Sequence, residues 1–497
     1  MPASPFQCLL VANRGEIAIR VIRACRELGI SPIAVHSDAD VDALHVRLAD
    51  RSERIGPPAA RDSYLSIEAV VDAARRAGAD AIHPGYGFLS EDAAFARAVE
   101  AAGLVFVGPP PSALEALGNK LAARRSAADA GVPIVPGTTV ALTDDVAAVA
   151  DIGYPVMLKA AAGGGGRGMR RVDAPEDLRP AMEAARREAA SAFGDGTIYV
   201  ERLVSPARHV EVQLLGDRHG NLAVLGERDC SVQRRHQKLV EESPSPAVDE
   251  PMRRALFDSA RRVAGTVDFH NAATVEFLVA DDGSHYFLEM NTRLQVEHGV
   301  TELVTGIDLV AWQIRIAAGD RLPPEVLDVS RRGHAIEVRI YAEDPYDGFR
   351  PTSGRIGAWE VPSGPGVRVD AGIEADTSLR SEYDPLLAKL MVYADDRPSA
   401  IHRLRRALDE TLIGGLQTDV GFLRWLVDEP GFAAGEYDTG LIGERWGAGP
   451  PVSDEDRGLA ALAAASARHA TPRASAESAP PKGSGWGELG RREALRT

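Results

Sequence analysis

The sequence predicts a multidomain protein of mixed class, with an α/β region at the N-terminus and α+β regions after it. Its 497 residues correspond to about three domains of ordinary size. Over the first 116 residues, apolar runs alternate with helical patterns, which favours a parallel sheet flanked by helices. Further along, apolar runs are joined by short polar turns, which favours antiparallel strands. The chain is therefore expected to contain two kinds of sheet.

The N-terminal region, residues 1–116, carries the α/β pattern. Apolar runs predict strands at residues 8–12, 33–36, 79–83 and 104–107. Helical spacing predicts helices at residues 16–28 and 67–77, with Gly29 placed to end the first of them. Ser112 and Glu115 have the spacing of a capping box at the start of the next helix. No GxGxxG follows the first strand, which disfavours a dinucleotide site.

Two further regions and a tail follow. Residues 117–320 are expected to form an α+β domain, with strands at 155–160, 169–172, 210–215, 222–225, 273–279 and 286–290. Residues 333–446 are expected to form a third domain, with strands at 335–341, 367–370 and 388–393 and a helix at 399–410. Residues 447–497 are rich in Ala, Pro, Ser and Gly and are predicted to be a flexible tail.

Composition excludes several classes of function. The chain has 72 acidic and 56 basic residues, a net charge of −16, which argues against a nucleic-acid binder. No apolar run approaches the roughly 18 residues that span a bilayer, so no membrane partner is expected. The start of the chain lacks the basic region of a secretion signal, and the three cysteines have no metal-ligand spacing. We expect a cytoplasmic protein with reduced thiols.

The first segment with chemical meaning is the glycine tract Gly163-Gly164-Gly165-Gly166-Arg167-Gly168. Consecutive glycines are costly to order, but their backbone N–H groups can approach phosphates closely. Lys159 precedes the tract, and its ammonium could reach the same phosphates. The segment lacks the Gly-Lys-Ser/Thr of a P-loop, so a phosphate lid and a mobile hairpin both remain open.

The second segment is the hairpin at residues 274–291. Asp282-Gly283 predicts a two-residue turn, which pairs Glu276 with Glu289 and Thr274 with Asn291. Side chains two residues apart share a sheet face, so both carboxylates and the asparagine amide are expected side by side. Hard oxygen donors of this kind suit Mg²⁺ or Mn²⁺ bound to nucleotide phosphates. A solvated edge or a protonated carboxyl is the alternative.

Two polar stretches remain ambiguous when read alone. The segment 293–298 (RLQVEH) could hold a small anion and move its proton, or could be a salt-bridged loop. The segment 227–238 is crowded with charge, which indicates either a solvated face or an internal salt network. Cys230 within it is expected to be a buried thiol rather than a nucleophile.

Five motifs together resemble the biotin carboxylase family: residues 11–18, 83–91, the glycine tract, 228–238 and 289–298, in the family's order and spacing. The resemblance covers residues 6–446. It implies a Rossmann-like pre-ATP-grasp domain, an ATP-grasp domain with a glycine-rich lid, and a C-terminal domain that completes the site. The implied reaction is the ATP-dependent carboxylation of biotin by bicarbonate through carboxyphosphate.

The resemblance also implies roles for particular residues. Nucleotide contacts are implied for Lys120, Lys159, Gly164, Gly165, Gly166, Glu201, Val204, His209, Gln233, His236, Glu276 and Glu289. Two divalent ions, Mg²⁺ or Mn²⁺, are implied at Glu276, Glu289 and Asn291. The bicarbonate and biotin pocket is implied at Lys238, Arg293, Gln295, Val296 and Arg339. The implied catalytic residues are Glu297 as the base and Arg339, Lys238 and Arg293 as cationic groups.

The sequence departs from the family at Gly299, where proline is usual, and this could loosen the loop that holds Glu297. None of the seven methionines is followed by lysine, so the Met-Lys-Met biotin attachment site is missing. The biotin carboxyl carrier protein and the carboxyltransferase are therefore expected on separate chains, and the family's habit suggests a homodimer. The alternatives are another ATP-grasp ligase, which would not need Arg293, Gln295, Glu297 and Arg339 together, and an inactive scaffold.

Overall fold

The computed structural model describes residues 6–142, 147–161 and 168–447. Within these ranges, no helix has both the length and the apolar character needed to span a bilayer. Residues 163–167 of the glycine tract, which carry the predicted lid, and residues 448–497 of the expected tail lie outside the described ranges.

The N-terminal sheet is parallel, as predicted. Its strands are β1 (Cys8–Val11), β2 (Ser31–Ser37), β3 (Arg51–Gly56), β4 (Ala81–His83) and β5 (Val105–Phe106). Their order β3-β2-β1-β4-β5 is that of a Rossmann-like doubly wound sheet. The helices here are α1 (Gly15–Glu27), α2 (Leu44–Leu48), α3 (Ile67–Ala77), α4 (Ala93–Ala101), α5 (Pro111–Gly118) and α6 (Lys120–Asp129).

Local sequence explains the ends of these helices. Gly29 adopts a φ of +72° just beyond α1, and Ser66 caps α3 by accepting a hydrogen bond from the Ala69 N–H. The predicted capping box at Ser112 is wrong, because α5 begins at Pro111 and its N-cap is Pro110, without a side-chain cap. Proline at the first helical position has a fixed φ suited to the helix, so it starts the helix before Ser112.

A small antiparallel sheet follows, with β6 (Val156–Ala160) between β7 (Arg170–Val172) and β8 (Ile198–Arg202). Helices α7 (Ala147–Ile152) and α8 (Pro175–Phe193) belong to the same part of the chain. Apolar side chains of β6, β8 and α8 form one buried cluster, which fixes β6 and β8 relative to α8.

The next five strands are β9 (Ala207–Gly216), β10 (Leu222–Arg234), β11 (Gln237–Ser243), β12 (Asn271–Ala280) and β13 (His285–Asn291). The accompanying helices are α9 (Glu250–Ala264), α10 (His298–Thr305), α11 (Leu309–Ala317) and α12 (Pro324–Leu327). The strand predicted at 222–225 extends to Arg234, so most of the charged stretch 227–238 lies on strands β10 and β11.

The C-terminal part contains short strands and four helices. Its strands are β14 (His334–Tyr341), β15 (Glu343–Asp344), β16 (Arg350–Pro351), β17 (Gly354–Arg355), β18 (Ala358–Glu360), β19 (Val367–Ala371), β20 (Ser378–Leu379), β21 (Leu386–Ala394) and β22 (Leu412–Gly414). Its helices are α13 (Arg397–Asp409), α14 (Val420–Asp428), α15 (Pro430–Ala434) and α16 (Leu441–Arg445).

One eight-stranded sheet joins the middle and C-terminal parts. Its order is β13-β12-β9-β10-β11-β14-β21-β19, and every neighbouring pair is antiparallel. The connection is the β11–β14 pair, in which Val240 faces Val338. A buried cluster that includes Leu9, Leu215 and Leu309 packs the N-terminal region onto the same sheet. Side chains from all three parts of the chain can therefore meet at one site.

Candidate active site

A cavity of about 1540 Å³ lies over the eight-stranded sheet. The structure brings to its walls every predicted site residue that it describes. These residues are Lys120, Lys159, Glu201, Val204, His209, Gln233, His236, Lys238, Glu276, Glu289, Asn291, Arg293, Gln295, Val296, Glu297 and Arg339. The predicted Gly164, Gly165 and Gly166 lie outside the described residues. Sequence positions more than 200 residues apart thus converge on one space.

In the β12–β13 hairpin, the residues nearest the cavity pair as predicted. Glu276 pairs with Glu289, and Thr274 pairs with Asn291. The predicted two-residue turn is wrong, since Ala280 and Ser284 flank a three-residue loop and Val279 pairs with His285. A bulge next to Glu276 restores the register, and Gly283 takes the left-handed conformation that such loops favour.

The two glutamates and the asparagine lie within contact distance on one face. Asn291 donates its Nδ2 to Glu276 Oε1 at 2.8 Å and to Glu289 Oε1 at 3.4 Å. Burial raises the pKa of the Glu276 carboxyl, but Lys238 and His209 lower it more, so Glu276 is ionised at neutral pH. Two carboxylates and one amide oxygen are the hard donors that Mg²⁺ and Mn²⁺ prefer, and this donor set fits a divalent cation.

Lys238 lies at the centre of an acidic cluster. Its ammonium contacts Glu211 Oε2 at 2.7 Å, Glu276 Oε1 at 3.1 Å and Glu297 Oε1 at 2.6 Å. Burial lowers the pKa of Lys238, but the surrounding acidic groups raise it well above its ordinary value. The ammonium can hold a small anion in place of one of these carboxylates.

Glu297, at the start of α10, is held by two cations. Besides Lys238, Arg339 of β14 places Nη2 3.0 Å from Glu297 Oε2 and donates its Nε to Glu241 Oε1 at 2.7 Å. Burial raises the pKa of Glu297, but Lys238 and Arg339 lower it well below its ordinary value. An ionised carboxylate with cations on both sides can accept a proton from an anion bound to those cations.

The loop between β13 and α10 combines both alternatives left open by the sequence. Arg293 lies 3.0 Å from Glu91 Oε2, so this loop is salt-bridged. Arg293 also donates to Gln295 Oε1 at 2.9 Å, and Gln295 donates to Glu276 Oε1 at 3.3 Å. The cation and the amide therefore remain beside the cavity, linked to the carboxylates of the hairpin.

Two more ammonium groups that line the cavity are paired with carboxylates. Lys120 lies 2.6 Å from Glu289 Oε2, and Lys159 lies 2.5 Å from Glu201 Oε2. His209 Nε2 lies 2.7 Å from Glu276 Oε2. Burial lowers the pKa of His236, and the neighbouring Lys159 lowers it further, so this imidazole is neutral at pH 7. A polyanion that competes with these carboxylates could bind the two ammonium groups.

The charged stretch on β10 is an internal salt network. Arg228 is fully buried and donates to Glu211 Oε1 at 2.5 Å and to Gln213 Oε1 at 2.8 Å. Cys230 is buried as predicted, and burial raises the pKa of its thiol well above its ordinary value. A protonated buried thiol is a poor nucleophile, so Cys230 contributes packing.

Sequence reasoning missed Glu211, which joins Lys238 to Arg228. A signal was available, because Glu211 interrupts the apolar strand 210–215 and is two residues from His209, hence on the same face. Glu211 also pairs across the ladder with Glu276. Together with His209 and Glu276 it places ligand atoms within 4.8 Å of one another. Glu91 was missed as well, since only the fold brings it to Arg293.

Three family models match the chain in succession. They are "Biotin carboxylase, N-terminal domain" over residues 5–114, "Carbamoyl-phosphate synthase L chain, ATP binding domain" over 119–325, and "Biotin carboxylase C-terminal domain" over 337–444. The biotin carboxylase of Halalkalibacterium halodurans is 50% identical over 440 residues, which are 88% of this chain and 97% of the relative. This chain belongs to the biotin carboxylase family.

Other members of the biotin carboxylase family are similar over most of the chain. The propionyl-CoA carboxylase alpha chain of Ruegeria pomeroyi is 47% identical over 92% of this chain and 72% of its own length. The biotin carboxylase of Campylobacter jejuni, solved as a β,γ-ATP complex, has 45% identity and a TM-score of 0.86, with 90% of this chain and all of that one covered.

A further structure is the biotin carboxylase domain dimer of Hydrogenobacter thermophilus 2-oxoglutarate carboxylase. It was solved with MgADP, ADP and bicarbonate and has 43% identity and a TM-score of 0.87. The match covers 90% of this chain and 99% of that one. The predicted family and the predicted fold class are therefore confirmed.

Proposed function

We propose that this protein carboxylates biotin with bicarbonate at the expense of ATP, through carboxyphosphate. This is the first half-reaction of a biotin-dependent carboxylase. The observation that carries the proposal is the position of Glu297, whose carboxylate lies between Lys238 and Arg339. Lys238 also contacts Glu276 of the hairpin. A proton acceptor, two cations and the expected metal ligands thus share one cavity.

The nucleotide is proposed to bind along the paired ammonium groups. Lys120, Lys159 and His236 are placed to contact its phosphates, with the glycine tract as the lid over them. Glu201 to Val204 would face the adenine, with His209 near the ribose and Gln233 beside it. Glu276, Glu289 and Asn291 would hold two Mg²⁺ or Mn²⁺ ions, which neutralise phosphate charge and polarise the transferred phosphoryl group. The MgADP in the Hydrogenobacter structure supports this assignment.

Bicarbonate is proposed to bind at Lys238, Arg293, Gln295 and Val296. An anion that draws Lys238 towards itself weakens the hold on Glu297 and raises the basicity of that carboxylate. Glu297 then takes the bicarbonate proton, and the resulting carbonate oxygen attacks the γ-phosphorus. The bond to the ADP oxygen breaks as the new P–O bond forms. Cations fixed in advance stabilise the charge that develops in this step.

The second step transfers the carboxyl group to biotin. The ureido nitrogen is a weak nucleophile. As its bond to the carboxyl carbon forms, the bond from that carbon to the phosphate oxygen of carboxyphosphate breaks, and the departing inorganic phosphate takes the ureido proton. Arg339 is placed to stabilise the ureido oxyanion, because its Nη2 already contacts the carboxylate of Glu297 inside the cavity. Because carboxyphosphate is labile in water, closure of a lid over this cavity would protect it.

The proposal also covers the domain boundaries, the partner chains and the oligomeric state. Domains are assigned at residues 1–116, 117–320 and 333–446, with a tail at 447–497. The biotin carboxyl carrier protein and the carboxyltransferase are proposed to be separate chains, and the enzyme to be a cytoplasmic homodimer. The relatives from multi-subunit carboxylases and the Hydrogenobacter dimer support these assignments.

The test is ADP release with ATP, Mg²⁺ and bicarbonate, measured with and without free biotin. We expect biotin to stimulate ADP release, and Glu289→Gln to reduce it by roughly a hundredfold or more because one carboxylate donor is lost. The matched control is Glu250→Gln, a residue 67% exposed on α9, which should behave like the unaltered protein. Turnover driven by an amine acceptor, or no turnover at all, would contradict the proposal.

A further inference from the structure

Behind the Glu297 loop lies a set of four side chains on strands β14 and β21. Glu337 pairs with Met391, and Arg339 pairs with Lys389. Since residues two apart on a strand share a face, these four side chains form one patch, here called the support block. The support block faces the segment that connects β13 to α10.

Two members of the support block, Arg339 and Lys389, contact this segment, and the other two lie beside Gly299 in the first turn of α10. Arg339 Nη2 contacts Glu297 Oε2 at 3.0 Å, and Lys389 donates its Nζ to the Val296 carbonyl at 2.7 Å. A Cβ placed on Gly299 would clash with Met391 Sδ and lie 3.2 Å from Glu337 Oε2. Met391 therefore occupies the space that a larger residue at 299 would need.

Lys389 is an unusual residue for a strand interior. Its side chain is 0% exposed, and its nearest carboxylate, Glu16 Oε1, lies 3.5 Å away. Burying an ammonium is expensive unless charged or polar partners compensate. Burial lowers the pKa of Lys389, but Glu16, Glu337 and Asp370 raise it more, so the ammonium stays charged. Its shortest contact is to the Val296 carbonyl, and this contact links β21 to the Glu297 loop.

We propose that Lys389 and Met391 are positioning residues that hold the Glu297 loop, taking over the restraint that a proline at 299 would supply. The Val296–Glu297 peptide is planar and trans, so fixing the Val296 carbonyl also fixes the direction of the Glu297 N–H on its other side. Met391 then closes the space beside Gly299, at the first turn of α10. Neither residue lines the cavity, so both act through the loop.

The proposal rests on the proposed function and is tested by its steady-state kinetics. Lys389→Met removes the ammonium and keeps an apolar chain of similar length. We expect kcat/KM for bicarbonate to fall about tenfold to a hundredfold, with KM for ATP changed by less than about twofold, because a displacement of about 1 Å in a catalytic group has effects of this size.

The matched control is Arg397→Met, which removes a partly buried cation at the start of α13 that pairs with a carboxylate of the same sheet. Arg397 contacts Glu242, whose position next to Glu241 in β11 puts it on the opposite face. We expect this control to lower thermal stability while kcat/KM for bicarbonate stays near that of the unaltered protein. Equal losses in both variants would overturn the positioning role.

A double-mutant cycle tests Met391 independently and also serves if Lys389→Met does not fold. Met391→Ala alone and Gly299→Ala alone should each lower kcat/KM for bicarbonate, the first by opening the space beside Gly299 and the second by its clash with Met391. The double variant should lose less than the sum of the two, because the new methyl group fills part of the vacated space. Additive losses would overturn the proposal. Biotin-stimulated ADP release by the unaltered protein is the reference, so its absence would refute the proposed function rather than the support block.

Discussion

Glu241 and Glu242 are neighbours on β11, yet they have opposite surroundings. Glu241 faces the active site, where Arg339 contacts it and Glu337 lies directly opposite. Glu242 faces away and accepts hydrogen bonds from Arg397 Nε at 2.7 Å and from Tyr437, with His334 Nε2 at 2.5 Å. One side of the strand therefore has opposed acidic groups, and the other has a carboxylate surrounded by donors.

The difference shows in the acidity of the two groups. Burial raises the pKa of Glu241 to about 7, even though Arg339 acts in the other direction. Burial also acts on Glu242, but His334 and Arg397 outweigh it and lower its pKa to about 2. Glu241 Oε2 has no hydrogen-bond partner among the described residues, whereas both oxygens of Glu242 are bonded. The carboxyl with the raised pKa is therefore on the side of β11 that faces the active site, where perturbed pKa values commonly cluster.

The largest expected effect is on the active face. Glu297→Gln removes the proton acceptor but keeps the shape of the side chain, so kcat should fall by about 10²–10⁴-fold. ATP affinity should change little, because Glu297 is placed toward bicarbonate. Steady-state ADP release and nucleotide titration would measure the two quantities. Comparable loss of nucleotide binding would mean that Glu297 has a structural role instead.

On the opposite face, Glu242→Ala should act on stability. It leaves Arg397 and His334 buried without their carboxylate, and breaking a buried pair in this way costs about 3–5 kcal/mol. Denaturant unfolding would report the loss, and kcat at 20 °C should stay close to normal for the folded fraction. A large fall in kcat with unchanged stability would mean that Glu242 serves catalysis, which contradicts the assignment of its side of β11 to stability.

The low pKa of Glu242 predicts acid sensitivity. Because its folded pKa of about 2 lies below its ordinary value of 4.5, the unfolded chain binds the proton more readily between those values. The stabilisation is therefore complete above pH 4.5 and is lost as pH falls towards 2, by up to about 3 kcal/mol. Glu242→Gln should flatten this part of a pH–stability curve, and an unchanged slope would contradict the assignment.

The smallest effect is expected at Glu241, with the opposite sign. Its folded pKa of about 7 lies above the ordinary value, so the native state binds the proton more readily between pH 4.5 and 7. Stability contributed by protonated Glu241 is lost as pH rises through 7, and Glu241→Gln should remove that decline. The activity profile between pH 6 and 8 should change by less than about tenfold. Parallel profiles for Glu241→Gln and Glu242→Gln would show that the two faces do not differ.

Much of the site could be predicted because local rules govern it. The alternation of side chains along β12 and β13 was enough to put Glu276, Glu289 and Asn291 together, even though the turn differed. A bulge next to Glu276 restores the predicted pairing of Glu276 with Glu289, and no sequence pattern predicted that bulge. Likewise, Pro111 rather than Ser112 started α5, because backbone preference outweighed the capping signal.

Long-range pairing explains what could not be predicted. Glu91 meets Arg293, and Lys389 meets Val296, only because three parts of the chain converge. The charged stretch on β10 resembled a surface segment, since burial of Arg228 is understandable only with Glu211 beside it. The strands β14, β19 and β21 extend the sheet of the preceding region, and no local pattern in residues 333–446 indicates that pairing.

The pairing of β11 with β14, here called the β11–β14 seam, predicts how the protein behaves when it is expressed as two fragments. A break in the connection at residues 328–333 would leave β11 and β14 each with an unpaired edge of backbone N–H and C=O groups. Such edges are templates for strand addition, so the two fragments should recognise each other when expressed together. Arg339 arrives on one fragment and Lys238 on the other, so fragment complementation would restore turnover only when the seam re-forms.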